Sequence, residues 1–297
     1  MIIFNSKFRL KTYLESVRNQ AGKCEIGFIP TMGALHSGHI SLINTAKVQC
    51  DIVVCSIFVN PTQFNDPGDL TNYPRTIEND CKMLEKAGCD AVFIPEVSEM
   101  YTSHELELKK QGIEDKSWTE GKTVDFGIIG TVMEGAYRPG HFNGVAQVVS
   151  KLFRIVEPDK AYFGQKDFQQ LAIIKSMVKQ LEIPVEIISC PLVREPNGLA
   201  MSSRNERLTS LERERAAIIS KTLFQVKALQ KEKSISELKS FAEAQLKTEP
   251  LIELEYFEIS NAETLEPLTD YSQATGAVAC VALKLGKVRL IDNVVLY

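Results

Sequence analysis

Apolar residues in the first part of the chain gather into short runs, at residues 25–31, 51–59, 90–95, 160–164 and 185–190, each closed by polar or turn-forming residues. Runs of this length and content predict strands. Helical spacing lies between most of them. It predicts helices at residues 7–20, 79–86, 143–156 and 167–181, the last with Leu171, Ile174, Val178 and Leu181 at helical intervals. Alternation of this kind implies an α/β fold, a doubly wound, Rossmann-like parallel sheet, in which ligands bind beyond the carboxyl ends of the strands. From about residue 193 the pattern changes. Residues 208–230 and 234–246 read as charge-rich helices, followed by strand-like runs at 253–260, 277–285 and 288–296 with a hairpin turn at Gly286-Lys287. The expected organisation is a Rossmann-like domain over residues 1–192 and a smaller α+β domain over 193–297. Periodicity fades between residues 96 and 132, around Trp118, and a lid, a partner surface and plain connection all fit that stretch.

The strand exits carry the candidate chemistry. The first run continues into EIGFIPTMGALHSGHISL, residues 25–42, with Ile40, Ile43 and Ala46 at helical spacing beyond it. Gly33 and Gly38 permit a tight turn, and the first turn of the following helix directs N–H groups at an anion. His36 and His39 fall at its mouth if the helix begins near Ser37, where both can donate to a phosphate; a metal half-site and a surface feature use the same spacing. Residues 60–65 read NPTQFN, 164–170 GQKDFQQ and 194–205 REPNGLAMSSRN, and GAYRPGHFNG at 135–144 leads into a further helix. Gln63 and Asn60 offer amides, although Asn, Pro and Thr also form ordinary turns. Arg138 and His141 flank a stiff Pro-Gly pair. Lys166 can put a charge on a polyphosphate, and Asp167 can accept from ribose or cap a helix. Ser202, Ser203 and Arg204 form a ready phosphate clamp, or a helix cap. Asp80, in a predicted helix, reads as an exposed carboxylate, with an outer-sphere metal role as the alternative.

Composition narrows the partners. The chain has 297 residues, 44% hydrophobic and 24% charged, with a net charge of −4. That balance argues against a general nucleic-acid footprint, tRNA included. The seven cysteines include no CxxC pair and read as reduced thiols, which points to the cytoplasm. No run approaches the ~18 apolar residues of a membrane span, and the opening residues carry charges throughout, so neither membrane nor export is expected.

The string PTMGALHSGH resembles the pantoate–β-alanine ligase family, within the superfamily marked by the HIGH signature. FVNPTQF, RPGHFNGV, GQKDFQQ and MSSRN match the same family in the same order, from Pro30 to Asn205. The resemblance implies an ATP-dependent ligase that joins pantoate to β-alanine through an acyl adenylate, releasing pyrophosphate and AMP. It implies ATP contacts at Met32, Gly33, Ala34, Leu35, His36, Ser37, Gly38, His39, Gly164, Gln165, Lys166, Asp167, Val193, Met201, Ser202, Ser203 and Arg204. His39, His36, Lys166 and Arg204 would serve the chemistry. Gln63 and Gln170 would bind pantoate, with Gln63 also at the β-alanine position and Asn60 supporting it, and Arg138 and His141 would line the site as second-tier residues. Mg2+ would ride on the ATP phosphates with no direct protein ligand, and the protein would be a homodimer. Gln165 departs from the family pattern, where glutamate is usual. A cytidylyltransferase-type enzyme and a non-catalytic nucleotide sensor are the rival readings.

Overall fold

The computed structural model describes residues 1–21, 24–65, 67–113 and 115–297. They form two compact units. The first comprises Met1–Phe126, Arg138–Gly164 and Ile173–Cys190, and the second Gly127–Tyr137, Gln165–Ala172 and Pro191–Tyr297.

The first unit is built on a six-stranded sheet of β1 (Ile2–Phe4), β2 (Ile26–Thr31), β3 (Ile52–Ile57), β4 (Ala91–Phe93), β5 (Lys160–Gly164) and β6 (Glu186–Cys190). Their order is β1-β4-β3-β2-β5-β6 and every pairing is parallel. The doubly wound sheet expected from the alternating pattern is therefore present, extended by the edge strand β1, which no run announced. Strand order reverses between β2 and β5, the switch point at which such sheets open a crevice for ligands. On one face, Leu42, Ile43 and Ala46 of the Ser37–Gln49 helix and Leu84 of the Ile77–Lys86 helix pack on Ile29, Val53, Cys55 and Val92. Phe153 of the His141–Val156 helix packs edge-on against Phe28 and Phe163 of the strands. Trp118, in the stretch without periodicity, is buried, and its carbonyl accepts from Arg154 at 2.7 Å.

In the second unit, β7 (Ile252–Asn261), β8 (Ala277–Leu285) and β9 (Val288–Val295) form an antiparallel sheet in that order. Gly286, at φ +57°, supplies the left-handed residue of the β8–β9 hairpin. Leu223 and Val226 of the Ala217–Leu229 helix and Leu238, Ala242 and Leu246 of the Ile235–Leu246 helix share a core with Phe257, Ile259, Val281 and Leu283. The single helix expected over residues 208–230 is two, Ser210–Arg215 and Ala217–Leu229. The junction residue Ala216 is fully buried and keeps right-handed helical angles, φ −58° and ψ −19°, so the two helices follow one another with only a slight irregularity between them.

Candidate active site

In the first unit the residues after β2 make two consecutive left-handed steps, Gly33 at φ +82° and Ala34 at φ +49°. Gly33 has no room for a side chain, since a Cβ there would lie 2.9 Å from Ile57 Cγ2. Ala34 takes this conformation at a cost of about 1–2 kcal/mol. Its compensation comes from Asp80, whose Oδ2 accepts from Ala34 N at 2.9 Å and whose Oδ1 accepts from Leu35 N at 2.8 Å. Hydrogen bonds to a charged group contribute about 1.5–3 kcal/mol each. Asp80 was expected to be an exposed helical carboxylate, and it is fully buried. It shares its helix face with Leu84, four residues on, and this face turns inward.

The next helix, Ser37–Gln49, starts where the sequence places it, and it is capped by two imidazoles. His36 is the N-cap: its Nδ1 accepts from Gly38 N at 3.2 Å, while His36 N donates to Nδ1 of His39 at 3.3 Å. This is the reciprocal capping box with histidine in the places usually held by serine and glutamate. The rings lie 4.1 Å apart, centroid to centroid, at 35°. A backbone N–H can only donate, so in the neutral rings both Nδ1 atoms accept and each ring proton is left on Nε2. The cap thus sets the tautomer, turning two imidazoles into N–H donors at a helix N-terminus, where the local field favours anions.

After β3, Asn60 organises the turn that carries Gln63. Asn60 is buried, and its Nδ2 donates to the Gly144 carbonyl at 3.2 Å and to Gln63 Oε1 at 3.1 Å. Its Oδ1 accepts from the Tyr101 hydroxyl at 2.8 Å and from Thr62 N. A carbonyl can only accept, so the Gly144 contact fixes which end of Asn60 is nitrogen, and that in turn fixes Gln63 with Oε1 occupied and Nε2 as its donor. Nε2 rests against Met32 Sδ at 3.1 Å, a weak acceptor that a substrate oxygen can replace. Gly144 is a glycine for a reason of space, because a Cβ there would stand 2.6 Å from the Thr62 carbonyl oxygen and 2.8 Å from Gln63 Cα. His141 completes the support. Its Nδ1 faces the Gln63 carbonyl at 2.9 Å and its Nε2 faces Arg138 Nη1 at 3.0 Å, so this ring donates from Nδ1 and accepts at Nε2. Sequence reasoning named Asn60, Gln63, Arg138 and His141 and missed Tyr101, whose phenol burial holds well above its ordinary pKa.

The second unit holds the other strings. Lys166 and Asp167 occupy a turn ahead of the Phe168–Leu181 helix and pair with each other at 3.5 Å. The carbonyls of Gln165 and Lys166 both accept from Asn293 Nδ2 of β9, at 2.9 and 2.8 Å. The neighbouring Asp292 is locked to Arg194 by a bidentate pair at 2.6 and 2.9 Å. Burial pushes the Asp292 carboxyl up, against the pull of Arg194. Of the adjacent glutamines, Gln169 is committed to structure: it donates to the carbonyls of Ile129 and Val132 and accepts from Glu134 N, while Gln170 is half-buried. In the MSSRN string, Ser202 caps the Ser203–Arg207 turn by accepting from Arg204 N at 3.2 Å, so the capping reading of this string is realised at Ser202. Met201 N donates to the Val193 carbonyl, joining two residues implied at the nucleotide. No residue order in the strings pointed to Asn293, which lies far along the chain from the turn it holds.

The family model for pantoate-beta-alanine ligase matches residues 2–295. The chain belongs to the pantoate–β-alanine ligase family. Among its relatives, the pantothenate synthetase of Porphyromonas gingivalis is 48% identical over 294 residues, covering 99% of each chain. That of Phocaeicola vulgatus is 49% identical over 286 residues, 96% of this chain and 95% of the relative. In structure the protein is similar to the pantothenate synthetase of Thermus thermophilus, with a TM-score of 0.88 and 38% identity over the whole of both chains. It is also similar to the pantoate–β-alanine ligase of Francisella tularensis, solved in complex with beta-gamma ATP and beta-alanine, with a TM-score of 0.77 and 35% identity over 100% of this chain and 98% of that one. Membership in this family accounts for the full set of strings in their order and leaves neither rival with a string of its own.

Proposed function

We propose that the protein condenses pantoate with β-alanine in two steps. The pantoate carboxylate attacks the α-phosphorus of ATP, forming an acyl–phosphate bond as the α–β phosphoanhydride breaks and pyrophosphate leaves. The β-alanine amine then attacks the pantoyl carbonyl, forming the amide as AMP departs and the amine loses its proton. The reading rests first on the family match over nearly the whole chain.

The side chains suit these roles. His36 and His39 present Nε2–H donors to the α-phosphate and leaving pyrophosphate, where each preorganised donor is worth about 10²–10³ in rate. Lys166, Ser202, Ser203 and Arg204 serve the phosphates, Gly164 and Asp167 the ribose, and the 32–39 loop, Gln165, Val193 and Met201 the rest of the nucleotide. Gln63, whose Oε1 is held by Asn60 so that Nε2 is its donor, donates to a pantoate oxygen and later borders β-alanine; Gln170 is the second pantoate amide. Magnesium enters as part of MgATP. A phosphate-borne ion keeps several waters and needs no all-protein cage. Among the described residues no helix is long and apolar enough to cross a membrane. We place the enzyme in the cytoplasm as a homodimer on the family resemblance, which cell fractionation and sedimentation velocity check.

The decisive assay mixes the protein with ATP, Mg2+ and pantoate. Pyrophosphate should appear in one burst, and AMP should turn over only once β-alanine is added. A requirement for CTP identifies a cytidylyltransferase, and release of no pyrophosphate leaves a nucleotide sensor; either result overturns the reading.

A further inference from the structure

We propose that Asp80 is a positioning residue for adenylate formation, acting through the backbone of residues 34 and 35 and not through a metal ion. The proposal rests on the ligase reading of the His36/His39 site. Asp80 is a fully buried carboxylate whose partners among the described residues are two backbone N–H groups and one hydroxyl, Thr76 Oγ1 at 3.0 Å. A buried charge needs such compensation, and here it is drawn from a loop more than forty residues away in sequence. Successive N–H groups in a left-handed turn form an anion cradle. In this protein the first such pair is filled by the protein's own carboxylate, and Gly38 N and His39 N are taken by His36, so a phosphate must be met by other donors, the Nε2–H groups of His36 and His39 among them.

This arrangement gives Asp80 control of the angle at which the chain enters the capped helix. Ala34 and Leu35 immediately precede His36, and the bonds to Asp80 are what offset the left-handed step at Ala34. With the carboxylate gone, the turn can relax toward ordinary backbone angles and carry His36 and His39 with it. A displacement of about 1 Å at a reacting centre can cost about 10²-fold in rate. Asp80 is fully buried and three of the roughly four acceptor sites of its carboxylate are taken by these donors, which leaves it poorly suited to a metal's outer sphere.

Asp80→Asn tests this, because it keeps the size but turns an NH2 group toward a backbone N–H. Single-turnover adenylation should fall by about 10- to 100-fold, while ATP affinity by calorimetry and the Mg2+ concentration giving half-maximal rate stay within about 3-fold. Hydrogen exchange at the Ala34 and Leu35 amides should accelerate. Thr76→Val reaches the same carboxylate without touching the loop; it should slow adenylation by a few-fold and speed the same exchange, and it supplies the test if Asp80→Asn does not fold. An unchanged rate, unchanged exchange at the two amides, or an effect chiefly on the Mg2+ requirement overturns the proposal. Absence of pyrophosphate release from the wild-type protein would instead defeat the ligase reading, and the exchange measurement still reports on the clamp.

Discussion

His36 performs two duties that an asparagine can separate. As N-cap its Nδ1 satisfies a backbone N–H of the Ser37–Gln49 helix, and as a donor its Nε2–H faces the nucleotide in the proposed mechanism. His36→Ala loses both. Loss of an N-cap side chain costs about 1 kcal/mol, which for a chain of this size lowers the unfolding temperature by about 2 °C. His36→Asn keeps the cap, since asparagine is among the best N-cap residues, but brings no Nε2–H. Scanning calorimetry should therefore find His36→Asn indistinguishable from wild type and His36→Ala lower. Rapid-quench measurement of pantoyl adenylate should find both variants slowed by about 10²–10³. A His36→Asn protein that forms adenylate at the wild-type rate would remove the imidazole from catalysis. One as destabilised as His36→Ala would show that the ring does not cap the helix.

Lys166→Ala and Arg204→Ala should each slow adenylation and weaken ATP binding without changing preference among hydroxy acids; an effect mainly on the apparent constant for β-alanine contradicts the phosphate roles. Gln63→Ala and Gln170→Ala should cut turnover sharply with ATP affinity near wild type by calorimetry, and should narrow the gap between pantoate and its deoxy analogue, because a site built to bond a hydroxyl otherwise rejects the analogue strongly. An unchanged gap places the pantoate pocket elsewhere. Desolvation by burial raises the pKa of all seven cysteines, with Cys89 pushed to about 12, so at pH 7 iodoacetamide should leave turnover intact. Stoichiometric inactivation that pantoate prevents would reveal a catalytic thiol.

The parallel sheet was legible because its central strands are buried on both faces and so read as apolar runs. Strand β1 was not, since three residues carry too short a period, and its place is set by pairing with β4. The junction at Ala216 was hidden for a different reason: alanine is the best helix former, and the residue keeps right-handed helical angles even where the two helices meet. Within the candidate site, the strings named polar residues at turns, of which Asn60, Gln63, His141 and Ser203 are buried. They did not disclose which partners aim them. Asp80 could have been found, because it shares a helix face with Leu84 and a carboxylate at an inward position requires donors. Tyr101 and Asn293 could not, since each acts across a large stretch of sequence on a turn whose string never mentions it.

The second unit takes Gly127–Tyr137 and Gln165–Ala172 from the interior of the chain, and this sets an order of events during synthesis. All six strands of the parallel sheet exist once Cys190 has left the ribosome. Met133 and Phe168, however, pack with Tyr256, Leu265, Val278 and Cys280, which are not yet made. At about 5–20 residues per second the wait is roughly 5–20 s, with apolar side chains exposed to chaperones or to neighbouring nascent chains. The turn bearing Lys166 is tethered later still, because its carbonyls find their donor only in Asn293 of the last strand. A chain halted before β9 would carry every residue named for the chemistry and still lack the tether for its lysine turn, so premature termination there should yield protein that accumulates without activity.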